Sequence, residues 1–170
     1  FVGRDVLLMA GGLGLVTLRS LLLSLLAARQ DFGTIQLLYG VRNMDHMLFQ
    51  KELLDWHASN LLDCRFAIKE PGNSWGVPTG DITHLFRNLE LQPQRTTVAV
   101  SGPAGMYRFI TPLLLRLGVS EEALFLNLER HMKCGLGKCG KCRINDVCVC
   151  EIGPIFPYSR VKHLKEAIER

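Results

Sequence analysis

Residues 6–14 read Val6-Leu7-Leu8-Met9-Ala10-Gly11-Gly12-Leu13-Gly14. An apolar run of strand length ends abruptly on glycines, and a helical stretch follows over residues 15–29. A strand without polar alternation is one buried on both faces, as in a parallel sheet covered by helices. The glycines put flexible backbone at a helix N-terminus, where free N–H groups and the helix dipole favour phosphate.

The same unit recurs along the chain. Thr34 to Tyr39, Cys64 to Ile68, Thr96 to Val100 and Ala123 to Leu128 read as four further strands. Helical patterns cover residues 47–57 and 82–89, and a helix opening at Gly102-Pro103-Ala104-Gly105 runs to about Leu117-Gly118. Residues 71–80 form a loop rich in Gly and Pro. The alternation predicts an α/β fold over residues 1–128, with a doubly wound five-stranded parallel sheet. Ligands of such sheets bind outside the carboxyl ends of the strands. Three glycine-bearing turns fall at that edge: Gly11-Gly12-Leu13-Gly14, Tyr39-Gly40-Val41-Arg42 and Ser101-Gly102-Pro103. Arg42 can meet a phosphate or a ribose with two N–H groups. Thr17 stands where the common dinucleotide fingerprint takes Gly or Ala, and no acid ends the second strand, so this is not that fingerprint. The plainer reading is that these glycines serve only tight βα turns.

Beyond the last strand lies Cys134-Gly135-Leu136-Gly137-Lys138-Cys139-Gly140-Lys141-Cys142, followed by Cys150. The spacing C-x4-C-x2-C continues to a fourth cysteine, as in plant-type iron–sulfur runs. Thiolate is the soft ligand that iron–sulfur clusters and zinc both select. A structural four-cysteine zinc site without redox role is therefore the alternative, although zinc usually takes paired C-x2-4-C knuckles. A thiol–disulfide site on Cys139-Gly140-Lys141-Cys142 would need that motif to begin a helix. Cys148 is an extra thiol, and Cys64 belongs to a strand and reads as packing. A short amphipathic helix is expected over residues 158–168.

The formal net charge is only +4, and Arg130, Lys133, Lys138, Lys141 and Arg143 crowd the cysteine motif. They can offset an anionic cluster, steer an acidic partner, or simply be solvated. No aromatic-basic stripe accompanies them, so nucleic acid is not expected as a partner. The longest charge-free apolar run, Val6 to Leu18, is too short for a membrane span. The six cysteines cluster towards the C-terminus, unlike a secreted disulfide framework, and with no signal peptide point to the reducing cytoplasm. Phe1 in place of an initiator Met suggests a fragment with an earlier domain missing. His131 is either a donor near the cysteines or exposed, the other histidines show no catalytic pattern, and Asp45 is placed to cap the helix that begins near Met47.

Together these residues resemble the nicotinamide-binding domain of the ferredoxin–NADP reductase superfamily, whose landmarks match the three glycine turns in order. The C-terminal part, from Leu128-Glu129-Arg130-His131-Met132-Lys133-Cys134 through Val149-Cys150-Glu151-Ile152-Gly153-Pro154, looks like the gamma subunits of soluble nickel–iron hydrogenases. It is equally similar to the B subunit of anaerobic sulfite reductase, and more distantly to the electron-transfer subunit of dihydroorotate dehydrogenase. The resemblance implies a [2Fe–2S] cluster on Cys134, Cys139, Cys142 and Cys150 in a segment spanning residues 129–170. It implies NAD(P)H at Gly11, Gly12, Leu13, Gly14, Tyr39, Gly40, Arg42, Ser101, Gly102 and Pro103, and FAD on a barrel domain missing from this chain. The implied activity is electron transfer between these cofactors and a catalytic partner subunit of hydrogenase or sulfite reductase type. One departure stands out: the family usually carries Cys-Gly-Pro where this chain has Ser101-Gly102-Pro103. The family cysteine lies near the site of hydride transfer, so the chain presents an altered donor there.

Overall fold

The computed structural model describes residues 2–59, 61–70 and 79–168. Six strands form one sheet in the order β3-β2-β1-β4-β5-β8. The first five are β1 (Asp5–Gly11), β2 (Ile35–Val41), β3 (Asp63–Ile68), β4 (Thr96–Ser101) and β5 (Leu124–Asn127). They pair in parallel as expected. The sixth, β8 (Ile155–Pro157), comes from the C-terminal segment and runs antiparallel to β5. Its proline is tolerated because this is an edge strand. Helices α1 (Gly14–Ala27), α2 (Gln50–Ala58) and α3 (Ala104–Arg116) make the main crossovers. A 3-10 helix over Ile82–Asn88 takes the place of the expected helix at residues 82–89. Most of the predicted Gly- and Pro-rich loop, residues 71–78, lies outside the described residues.

Successive strand residues face opposite sides, which makes the sheet doubly wound. Val6, Leu8 and Ala10 pack with Leu15, Leu18, Leu22 and Leu25 of α1. That spacing in α1 places all four leucines on one stripe, each contributing roughly 2 kcal/mol by leaving water. Leu7 and Met9 face the other way, onto Ile110 and Leu114 of α3. Cys142, Ile144, Val149, Phe156 and Val161 join this second cluster, so the cysteine-bearing segment packs on the α3 side of the sheet.

That segment contains a two-residue hairpin, β6 (Arg143–Ile144) with β7 (Val147–Cys148), and a single turn, α4 (Val149–Ile152). The expected helix over residues 158–168 is divided into α5 (Tyr158–Val161) and α6 (Lys165–Ile168). Asp45 does not cap α2. Helix α2 begins after Phe49, which has a left-handed backbone and no side-chain cap, whereas Asn43 accepts from His46 N and caps a preceding 3-10 turn. Among the described residues no helix is long and apolar enough to cross a membrane.

Candidate functional site

Strand register brings the three glycine turns together. Ala10 pairs with Tyr39 on one side and Ser101 on the other, and Gly11 pairs with Gly40. Connections leave β1 and β4 in opposite directions along the sheet, which opens the crevice where such folds bind ligands. Gly14 is needed for packing. A Cβ there would lie 2.1 Å from Ser101 O, so only glycine lets the start of α1 touch the end of β4. Gly11 and Gly102 are likewise enclosed, by Met106. Gly12 differs: its φ is +51°, and a Cβ would meet nothing within 4 Å. Its conformation demands glycine while its surroundings stay open, as a backbone cradle for a ligand requires.

The residues nominated by the sequence separate into two kinds. Leu13 is exposed at the turn, and Arg42 stands at the rim in an ion pair with Glu70, 2.8 Å away. Tyr39 is fully buried, so it lies behind the crevice and outside reach of a ligand. Its hydroxyl donates to Gly12 O (3.2 Å) and accepts from Leu48 N (3.3 Å), which fixes the Gly12 turn from below. Burial raises the Tyr39 pKa above the ordinary phenol value. Ser101 is 2% exposed and belongs to a hydrogen-bonded group. Ser101 Oγ is 2.7 Å from Thr17 Oγ1, and the two hydrogens of Asn127 Nδ2 are shared among Thr17 Oγ1 (3.0 Å), Ser101 Oγ (3.1 Å) and Glu129 Oε1 (3.0 Å). Tyr107 donates its hydroxyl to Asn127 O and accepts from Gly102 N at 3.2 Å. Burial above all pushes the Tyr107 phenol up to about 12. Asn127 Oδ1 is buried and has no partner among the described residues.

Two hollows share Gly11, Gly12 and Pro103 as their common wall. The larger, about 660 Å³, extends past Gly40 and Arg42 to Lys69, Glu70 and Asp81. The smaller, about 420 Å³, passes Ser101 to Asn127, Glu129 and Ala167, at the root of the cysteine segment. Sequence reasoning missed Thr17, Asn127, Glu129 and Glu70 as members of this site. Thr17 carried a signal, since it departs from the small residue of the common fingerprint. The others carried none, because their partners are distant in sequence.

The four cysteines of the motif gather in one region, with Cys139 beside Cys134 and Cys150 beside Cys142. Backbone N–H groups of Leu136 and Cys139, together with the Cys139 thiol, hydrogen-bond to Cys134 and lower its pKa to about 7. The Leu136 N–H stands 3.3 Å from Cys134 Sγ. Cys142 is lowered by hydrogen bonds from the backbone and thiol of Cys150, while Cys150, facing Cys142, is raised. Gly137 N donates to Cys150 Sγ at 3.2 Å. The φ of Gly137 is +69°, a left-handed backbone that favours glycine, and a Cβ there would also push aside the flexible Glu151 side chain. N–H groups aimed at sulfur stabilise thiolate. Among the described residues no three His, Cys, Asp or Glu side chains are arranged to hold one metal ion. Cys148 instead points at Gly137 O, 3.7 Å away. Cys142 leads into β6 and not into a helix, which removes the frame a thiol–disulfide motif would need. Cys64 is 4% exposed, and burial raises its thiol to about 12, as packing requires. All five histidines are exposed.

The chain is 34% identical to the sulfhydrogenase 1 gamma subunit of Pyrococcus furiosus, over 92% of this chain and 56% of the relative. It is 31% identical to the sulfhydrogenase 2 gamma subunit of the same organism, over 92% and 59%. It is 26% identical to a probable dihydroorotate dehydrogenase B electron transfer subunit of Methanocaldococcus jannaschii, over 97% and 60%. The chain thus spans somewhat more than half the length of these relatives. The cytochrome b5 reductase domain of Ulva prolifera nitrate reductase has the same fold, with a TM-score of 0.62 at 24% identity over 69% of this chain and 46% of that one. The CS-b5R domains of human Ncb5or match with a TM-score of 0.65 at 19% identity, over 73% and 36%. Residues 129–162 match the iron–sulfur cluster binding domain of dihydroorotate dehydrogenase B. Residues 8–111, which hold all three glycine turns, match the oxidoreductase NAD-binding domain, and the chain belongs to that family.

Proposed function

We propose that this chain is the nicotinamide-binding and iron–sulfur part of an electron-transfer oxidoreductase subunit. It carries electrons between NAD(P)H, FAD and a [2Fe–2S] cluster on the way to a catalytic partner subunit of hydrogenase or sulfite reductase type. The observation that carries this reading is the cysteine segment itself, in which backbone N–H groups aim at the sulfurs of Cys134 and Cys150 while Cys142 packs on the same sheet as the crevice. Each iron of such a cluster takes two protein ligands, so four thiols supply both irons, and the C-x4-C-x2-C spacing is that of iron–sulfur runs and not of paired zinc knuckles. Nicotinamide moves two electrons as hydride while the cluster takes one, and a flavin supplies the conversion between them.

The chain's own residues bind and orient. Gly12 presents open backbone to a diphosphate at the start of α1, with Gly11, Leu13 and Gly14 shaping the turn and Tyr39 and Gly40 holding it from behind. Ser101, Gly102 and Pro103 form the facing wall. Ser101, held by Thr17 and Asn127, supplies a hydroxyl where the redox half of the nucleotide would lie. N–H groups of Leu136 and Gly137 stabilise charge on the cysteine sulfurs. In this reading residues 1–128 form the nucleotide domain and residues 129–170 the cluster segment, with FAD on a separate barrel domain. Six unpaired thiols suit the reducing cytoplasm.

The test is anaerobic purification with iron, labile sulfide and zinc analysis. Two irons and two sulfides per molecule are expected, with an S = 1/2 EPR signal on reduction, as a [2Fe–2S] centre requires. Serine at Cys134, Cys139, Cys142 or Cys150 should abolish the signal, and Cys148→Ser should keep it. Stoichiometric zinc without iron would overturn the assignment.

A further inference from the structure

Ser101 stands where the resembled family carries cysteine, and the hydrogen bonds around it decide what its hydroxyl offers a ligand. A hydroxyl has one hydrogen to give and two lone pairs to receive with. Thr17 gives its hydrogen to Gly14 O, 2.9 Å away within α1. The 2.7 Å contact between Thr17 Oγ1 and Ser101 Oγ therefore takes its hydrogen from Ser101. Asn127 Nδ2 stands 3.1 Å from Ser101 Oγ. An amide nitrogen only donates, so it fills one Ser101 lone pair.

Glu129 holds the Asn127 amide in that sense. Turned by half a rotation, the amide would bring its buried Oδ1, which has no partner among the described residues, to the two hydroxyls. It would also put that oxygen where Nδ2 now stands, 3.0 Å from Glu129 Oε1, acceptor against acceptor. The buried oxygen without a partner thus records the orientation that the carboxylate imposes.

Ser101 is 2% exposed and Asn127 8%, so bulk water does not compete for these bonds. Ser101 and Glu129 both line the smaller hollow. Towards that hollow Ser101 has one lone pair left and no hydrogen, and the Glu129 carboxylate only accepts as well. A ligand that presents an N–H there gains a hydrogen bond, and one that presents only a carbonyl or a methyl group does not. The carboxamide of a nicotinamide ring carries both an amino group and a carbonyl oxygen, so the wall distinguishes its two ends.

We propose that Thr17 is a positioning residue: it keeps the Ser101 hydrogen inside the protein, so that the smaller hollow recognises the amino group of the carboxamide. The inference rests on the nucleotide reading of the crevice.

The experiment is calorimetric titration of the oxidised, full-length, cluster-loaded protein with three oxidised coenzymes, in the NAD+ and the NADP+ series alike. They are the natural dinucleotide, its thionicotinamide analogue, which keeps the amino group, and its 3-acetylpyridine analogue, which has methyl in its place. The proteins are native, Thr17→Val, Thr17→Ser and Ser101→Ala. The native protein should bind the first two within about threefold and the acetylpyridine analogue about five- to tenfold more weakly, the worth of one neutral hydrogen bond. Thr17 is exposed on α1, and Thr17→Val keeps its shape while removing the hydroxyl. In that variant the Ser101 hydrogen is free to donate to the carbonyl that the natural and acetylpyridine coenzymes share, so the two should bind within about twofold. Thr17→Ser should keep the native ratio, and Ser101→Ala should lose it. A merely structural role of Thr17 would weaken all three coenzymes alike and leave their ratio untouched. Equal binding of the natural and acetylpyridine coenzymes by the native protein, or a native ratio that Thr17→Val preserves, would overturn the proposal while the crevice remained a nucleotide site. Binding of no coenzyme of either series by the native protein would sink the nucleotide reading itself, and this proposal with it.

Discussion

Replacing Gly14 by alanine tests whether the crevice is built by backbone contact. The added Cβ would lie 2.1 Å from Ser101 O, 2.4 Å from Ser101 C and 2.7 Å from Gly102 N, where real contacts stay above 3.0 Å. None of these atoms belongs to a flexible side chain, so α1 must retreat from β4 by about 1 Å. That movement disturbs the packing of Leu15 and Leu18 and stretches the Thr17–Ser101 hydrogen bond. Overpacking of this kind costs about 3 kcal/mol, at the upper end of the usual range because backbone cannot rotate away. For a chain of this size that lowers Tm by roughly 6–12 °C. Gly12→Ala is the control. It meets no atom and pays only for its left-handed backbone, about 1 kcal/mol. Urea unfolding of both variants under identical anaerobic conditions separates the two costs, and NADH titration shows what each does to the crevice. Gly14→Ala should lose the most stability, while Gly12→Val, with bulk where the diphosphate approaches, should lose nucleotide binding. A Gly14→Ala protein within about 0.5 kcal/mol of native stability would refute the argument that α1 and β4 meet through backbone.

Asn127→Leu should destabilise the protein by roughly 1–3 kcal/mol, because the buried Ser101 hydroxyl loses the Asn127 donor, and urea titration will measure it. In the full-length flavin-containing protein, Ser101→Cys should speed flavin reduction by NADH in stopped flow, and an unchanged rate would mean that the serine network already fills the cysteine's role. The alkaline limb of stability should reflect Cys64. An exposed thiol ionises near 9 while the buried one keeps its proton to about 12, so the native state holds more protons in that window and stability falls as pH rises through it. Cys64→Ala should flatten that limb relative to the native protein in pH-dependent urea unfolding.

The sequence by itself determined what depends on neighbours along the chain. Apolar runs such as Val6–Ala10 specify strands, and glycines after them specify turns, because both signals sit within a few residues. The cysteine spacing pointed to soft-metal chemistry for the same reason. Tertiary structure alone decided why particular residues stand where they do. Gly14 must be glycine because of Ser101, and Thr17, Ser101 and Asn127 form one group only after β1, β4 and β5 align. Tyr39 matched a sequence landmark of the site, yet full burial makes it a support for Gly12 and removes it from ligand contact. Strand β8 was illegible because three residues ending in proline carry no periodicity, and only the open edge of β5 makes them a strand. Arg42 and Glu70 meet through the β2–β3 register, so this ion pair at the rim of the larger hollow exists only in the folded chain. Contacts between residues far apart in sequence leave no local signal, because their energy is gained only after the sheet has closed.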